Sequence, residues 1–264
     1  MRVVYVSHTS GVHDHRWIDA FQSNGLKVAS LVLPNDQDAL SKTQRAVDQY
    51  RANLVVAGPL ITCTRLLLNI SVPLIGLSWG HDLHDIERET DSGHWLHSMS
   101  GLIVDSDRTR EIALACGMSP EGIFQIPWGV DLTLFRPDGE RPSNDFVSEA
   151  DRVILSARAH EPIYRVQDVV AAFQWGESQG LWGADVHLVI LNSGSLTPTL
   201  ERFAGPSIHF VGRVSEPVLA MWLRRADVYV SASEVDGSSV TLLQAMACGA
   251  PVVDRKSTRL NSSH

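Results

Sequence analysis

Short apolar runs at 3–6, 28–33, 54–57, 74–77, 102–104 and 123–126 alternate with helical stretches such as 14–24, stopped by Gly25, and 107–116, stopped by Gly117. Strands that alternate with helices of this length form parallel sheets wound by helices, because a parallel neighbour is reached only through a crossover. The alternation restarts after 151, with strands expected at 153–156, 187–191, 208–211 and 228–230 and a helix at 167–179 that ends at Gly180. The predicted fold class is therefore α/β, with two Rossmann-like domains. A charged, proline-containing link at 138–151 separates them, so the boundaries are set at 1–138 and 139–253.

Bulk properties narrow the function. A chain of 264 residues, 44% hydrophobic and 20% charged, has the make-up of a globular protein with room for two domains. Its net charge of −8 argues against nucleic acid as a partner, since such binding requires a basic surface that releases counterions. Cys63, Cys116 and Cys248 show no C-x-x-C spacing, so neither a disulfide framework nor a zinc ribbon is expected. No apolar run approaches the roughly 18 residues of a membrane span. The expectation is a cytoplasmic protein, with peripheral contact at the inner face of a membrane left open and the oligomeric state unread.

Ligands of parallel sheets bind at the carboxyl ends of strands, and several of these ends are chemically loaded. After the first strand comes SHTSGVHDHR, where Gly11 permits close backbone approach and His13, His15 and Arg16 suit a hydroxyl-rich or anionic ligand. After the fourth comes SWGHDLHD, which sets Trp79 beside His81 and Asp82; a ring face next to hydrogen-bonding groups suits a sugar. The same His and Asp residues support a second reading, a metal-dependent hydrolase using His13, His15, His81 and Asp82. Asp105-Ser106-Asp107 opens a helix, and capping by Ser106 or Asp107 is its expected role. The last unit, 228–253, reads as strand, loop, helix and strand. Its loop Asp236-Gly237-Ser238-Ser239 offers a capping hydroxyl, a turn glycine and free N–H groups at a positive helix end, which fits either an ordinary capped helix or an anion site.

The run Ala245-Met246-Ala247-Cys248-Gly249-Ala250-Pro251-Val252-Val253, with Asp236 and Gln244 before it, resembles the donor-site signature of family 4 glycosyltransferases of the GT-B fold (glycosyl transferases group 1). That family carries a Glu-x7-Glu pattern: the first acid binds donor-sugar hydroxyls, the backbone between them meets sugar and phosphate, and the second acid grips the ribose. The resemblance gives Asp236 the first role, Gly237, Ser238, Ser239 and Val240 the second, and Gln244 the third, although Gln244 exchanges a carboxylate for an amide. Trp79-Gly80-His81-Asp82 resembles the family's H-G-x-D run, with Trp79 where the usual His stands. Ile126-Pro127-Trp128-Gly129-Val130-Asp131 resembles its interdomain I-P-N-G-V-D segment, with Trp128 for Asn. Gly212, Arg213 and Val214 resemble the loop that faces the base, and Asn192-Ser193-Gly194 a G-x-G turn. The family sets an Arg and a nearby Lys against the leaving diphosphate; Arg158 matches the first, and Arg165 is the nearest cation for the second.

The resemblance implies a retaining hexosyltransferase that moves a sugar from a UDP- or GDP-sugar donor to an acceptor hydroxyl, on a glycan, a cell-wall polysaccharide or a small molecule. It implies no metal and no cofactor. The catalytic candidates are Arg158, Arg165 and Asp236, and the acceptor-side candidates are Gly11, His13, His15, Arg16, Trp79, His81 and Asp82. Gln244 and the missing Lys leave room for a third reading, a noncatalytic sugar-nucleotide-binding module. The polar segment 254–264 reads as a non-native tail on a shortened second domain, which would leave that domain incomplete and the chain's own activity open.

Overall fold

Val3, Val4, Tyr5 and Val6 are all buried, a pattern that no strand with one wet face could show. They lie on β1 (Arg2–Ser7), which pairs in parallel with β2 (Lys27–Val32) on one side and β3 (Leu54–Ala57) on the other. The sheet continues in parallel through β4 (Leu74–Leu77), β5 (Gly101–Val104) and β6 (Ile123–Gln125), in the order β2-β1-β3-β4-β5-β6. Helices α1 (Val12–Ser23), α2 (Ala39–Tyr50), α3 (His81–Arg88) and α4 (Asp107–Ala115) make crossovers. The period of two sends alternate residues to opposite faces. Val4, Val6, Val55 and Ala57 join one core, while Val3, Tyr5, Val56, Leu77 and Ile103 join another.

The computed structural model describes residues 1–34, 37–88, 93–235 and 239–255, and the chain divides into two units, Met1–Trp128 and Gly129–His264. The second unit is built around β7 (Arg152–Ser156), β8 (Val186–Leu191), β9 (Ile208–Gly212), β10 (Val228–Ser231) and β11 (Val252–Asp254), with α5 (Val166–Ser178), α6 (Thr197–Leu200), α7 (Glu216–Arg225) and α8 (Val240–Ala247). Its sheet is parallel, in the order β11-β10-β7-β8-β9. All six residues of β8 are buried, as expected for a strand covered on both faces.

Glycines stop helices where the sequence places them. Gly117, at φ 89, and Gly249, at φ 81, follow the ends of α4 and α8 in the left-handed region that ends a helix at little cost. Ser106 caps α4 by accepting from the Thr109 N–H. Among the helices beyond those named from the sequence, 81–88 folds as α3, so His81 and Asp82 stand on its first turn. Asp254, expected to open the tail, instead ends β11 opposite Ser231; residues 256–264 lie outside the described residues. Among the described residues no helix is long and apolar enough to cross a membrane.

The division between the units falls at 128/129, ahead of the 138/139 expected from composition. Phe135 is the reason: it is fully buried in the second unit's core beside Val147, Val153 and Leu155, and Val130 and Leu134 pack against the same cluster. Apolar side chains assign 130–135 to the second unit, whereas charge and proline mark only the surface stretch that follows. Phe135→Ala should therefore destabilise the second unit by about 3–5 kcal/mol, seen as an earlier urea transition for that unit with the first unit's transition unmoved.

Candidate functional site

In each sheet the strand order reverses once beside the first strand: β1 has β2 on one side and β3 on the other, and β7 has β8 on one side and β10 on the other. Loops leaving such neighbours part in opposite directions and open a crevice at their carboxyl ends. In the second unit the crevice lies beyond β7 and β10. Arg158 follows β7, and its Nη1 donates to the hydroxyl of Ser239, 3.0 Å away. Ser239 is the N-cap residue of α8, yet its side chain makes no capping bond to the helix. The first-turn N–H groups of α8, the positive end of its dipole and the Arg158 guanidinium thus occupy one place, a combination that favours an anion. The Arg158 guanidinium also lies over the Tyr164 ring, 4.2 Å from its centroid.

Arg165 is held differently. It stands in the left-handed region at φ 53 and donates to Asp168 at 2.9 Å, with Glu234 at 3.9 Å. Its pKa is raised, first by the hydrogen bond to Asp168 and then by that residue's charge. Gln244 is buried on α8, and Val240 opens the same helix. Asp236, Gly237 and Ser238 lie outside the described residues.

Beside the crevice, a cleft of about 200 Å³ is lined by Ala157, Leu191, Asn192, Arg213, Val214 and Leu219. Gly212 reaches φ 83 at the end of β9, and Arg213 donates to Ser193 at 2.7 Å. The facing loop is fixed by Glu161, whose carboxylate accepts from the Ser195 N–H at 2.8 Å and from its hydroxyl; these bonds lower the Glu161 pKa. Buried His160 completes the support. Its Nε2 donates to the Leu191 carbonyl at 3.2 Å, its Nδ1 accepts from Thr197 Oγ1 at 2.8 Å, and Thr197 Oγ1 accepts from the Gly194 N–H at 2.8 Å. A neutral imidazole suits that chain, with the Thr197 hydroxyl donating to Nδ1, and burial disfavours the charged ring. Glu161, His160 and Thr197 were absent from the sequence-derived set; their only local signal is their position in or after the turns that follow β7 and β8.

In the first unit, the end of β1 is organised by Asp14, which accepts from Tyr5 Oη at 2.9 Å and from the Gly11 N–H at 2.8 Å. His13 packs against Trp79 and Trp128, with ring centroids 5.8 and 4.7 Å away, and Trp17 lies 5.9 Å from Trp128. The structure thus brings His13 together with Trp79 and adds Trp17 and Trp128. His15 stands apart, exposed and 3.3 Å from the Ser10 hydroxyl; Arg16 is half-buried on α1 and His81 half-buried on α3. Asp82 faces inward: it accepts from Leu60 N at 2.9 Å, Ser78 Oγ at 2.7 Å, Leu83 N at 2.9 Å and Trp79 N at 3.2 Å. Burial raises its pKa against the effect of those donors. Asp82 therefore fixes the backbone that carries Trp79. Among the described residues no group of three or more His, Cys, Asp or Glu side chains is placed to hold a metal, and the geometry just given, with His13 among indoles and Asp82 among backbone donors, does not favour the hydrolase reading.

The neutral state of His160 has a measurable consequence. Burial lowers its pKa below the ordinary value of 6.5, so the unfolded chain takes up a proton that the folded chain refuses. Stability is complete above about pH 6.5 and falls as the pH drops toward the folded-state value. His209, lowered by burial and by His187, acts in the same direction. The urea midpoint of the second unit should fall between pH 7 and pH 5, and His160→Asn should flatten part of that fall.

Residues 150–260 match the family model described as glycosyl transferases group 1. A D-inositol 3-phosphate glycosyltransferase of Jonesia denitrificans is 28% identical over 182 residues, covering 58% of this chain and 40% of that protein. An alpha-monoglucosyldiacylglycerol synthase of Streptococcus pneumoniae is 26% identical, covering 64% and 40%. The chain thus spans about 40% of the length of these curated relatives. Among solved structures, Anabaena HepE in complex with UDP-glucose superposes with a TM-score of 0.72 at 15% identity, over 96% of this chain and 80% of that one; that likeness shows the fold. Residues 150–260 are thus similar to the glycosyl transferases group 1 family, and the chain has a GT-B-type fold of two Rossmann-like units.

Proposed function

We propose that the chain is a retaining glycosyltransferase that takes a sugar from a nucleotide-sugar donor and places it on an acceptor hydroxyl. The observation that carries this reading is Arg158 at the carboxyl end of β7, hydrogen-bonded to Ser239 at the amino end of α8, within the segment that matches the family. As the sugar–phosphate bond breaks, negative charge grows on the departing diphosphate. A fixed guanidinium and the first-turn N–H groups of a helix stabilise that charge without reorganising. The cleft beside Asn192, Arg213 and Val214 takes the base, and buried Gln244 stands where the ribose-binding acid of the family pattern stands. No metal or cofactor enters this scheme. A uridine nucleotide is supported by HepE, whose structure holds UDP-glucose.

The acceptor belongs to the first unit. His13, Trp17, Trp79 and Trp128 gather ring faces near the ends of β1, β4 and β6, and such faces pack against the C–H face of a sugar. The protein is proposed to work in the cytoplasm, and peripheral membrane contact fits the lipid-synthase relative.

The test is calorimetric titration of the chain with UDP, GDP, ADP and their sugar conjugates, followed by transfer assays. Tight binding of one nucleotide is expected, and Arg158→Ala should weaken it by roughly ten- to a hundredfold, the usual worth of a hydrogen bond to a charged group. A folded chain that binds none of these nucleotides would overturn the reading.

A further inference from the structure

We propose that Tyr164 is a positioning residue for the phosphate-binding cation: its ring holds the Arg158 guanidinium in the plane in which its N–H groups meet the amino end of α8. The proposal rests on the donor-site reading above. It starts from the contacts of two neighbouring arginines. Arg165 is fixed by Asp168, which takes guanidinium donors at 2.9 Å, and lies 3.9 Å from Glu234, two carboxylates that offset its charge. Arg158 bonds to Ser239 and has its guanidinium carbon over the Tyr164 ring, 4.2 Å from the centroid. A cation held over a ring is attracted by the ring's negative face, so this contact restrains the side chain without a carboxylate that would cancel the charge. A long, flexible side chain is thereby ordered before ligand arrives, which lowers the entropy lost on binding.

Tyr164 is itself well held. It ends the tight turn Pro162–Tyr164, and its N–H donates to the Glu161 carbonyl at 3.0 Å. The preceding carbonyl, that of Ile163, accepts from the Glu234 N–H at 2.8 Å, which ties the turn to the loop after β10. Arg165, the next residue, bonds to Asp168 on α5, and the Tyr164 ring packs on the core that contains Val166 and Val170. Arg165 thus acts as a strut: it braces the turn, the turn sets the ring, and the ring sets Arg158. On this account the second cation of the site serves the phosphate through Tyr164 and not by direct contact.

The experiment varies the ring's electron density while keeping its shape. Phenylalanine and singly, doubly and triply fluorinated phenylalanines replace Tyr164 in the full chain, with Tyr164→Leu as the ring-free variant. UDP affinity is read by calorimetry, with GDP as the second nucleotide and uridine as the phosphate-free control. Tyr164→Phe should bind UDP within about twofold of the parent, and successive fluorination should weaken it stepwise to about tenfold. Uridine affinity and the melting profile should stay constant across the series, which a mere packing role for the ring would not produce. UDP affinity that ignores fluorination while Arg158→Ala loses it would overturn the proposal and leave the donor site standing. A folded parent chain that binds none of UDP, GDP and ADP would overturn the donor-site reading and this proposal together.

Discussion

Parallel pairing buried on both faces is the constraint from which the rest follows. A strand with neighbours on both sides and helices above and below has no wet surface, so its chemistry can sit only at its ends. In the second unit β7 is such a strand, and the reversal of strand order beside it opens the crevice where Arg158 and Ser239 meet. In the first unit β1 plays the same part, and Asp14 and His13 follow it. The residues that could act on a ligand are therefore a small set, fixed by topology before their chemistry is considered.

Much of this was legible in the sequence, because burial on both faces writes continuous apolar runs and helix ends write glycines. The runs at 54–57 and 74–77 coincide with β3 and β4. Arg158 was legible as a cation just past a strand. The helix at 81–88 was not: its residues are mostly polar, and it begins where Asp82 collects backbone donors, one of them from Leu60 in another loop. The unit boundary was misplaced for a related reason, since Phe135 declares its allegiance only through the core it enters.

The supporting groups were the least legible part of the site. Asp168 lies within a helical turn of Arg165, so that pair could be read locally. Glu234 reaches the same guanidinium from the loop after β10, and no local pattern announces it. The Tyr164 ring over Arg158 and the Glu161 carboxylate on Ser195 are likewise products of tertiary folding. A sequence motif names the groups that touch a ligand more readily than the groups that hold them still.

The hydrogen bonds through His160 run in one direction, from the Gly194 N–H through the Thr197 hydroxyl and the imidazole to the Leu191 carbonyl. Both ends of the chain are fixed, an amide that can only donate and a carbonyl that can only accept, so the imidazole between them keeps its proton on Nε2. The ring tautomer is thus dictated by a backbone carbonyl at the end of β8, and the Thr197 hydroxyl ties the surface turn to the buried ring that this carbonyl orients.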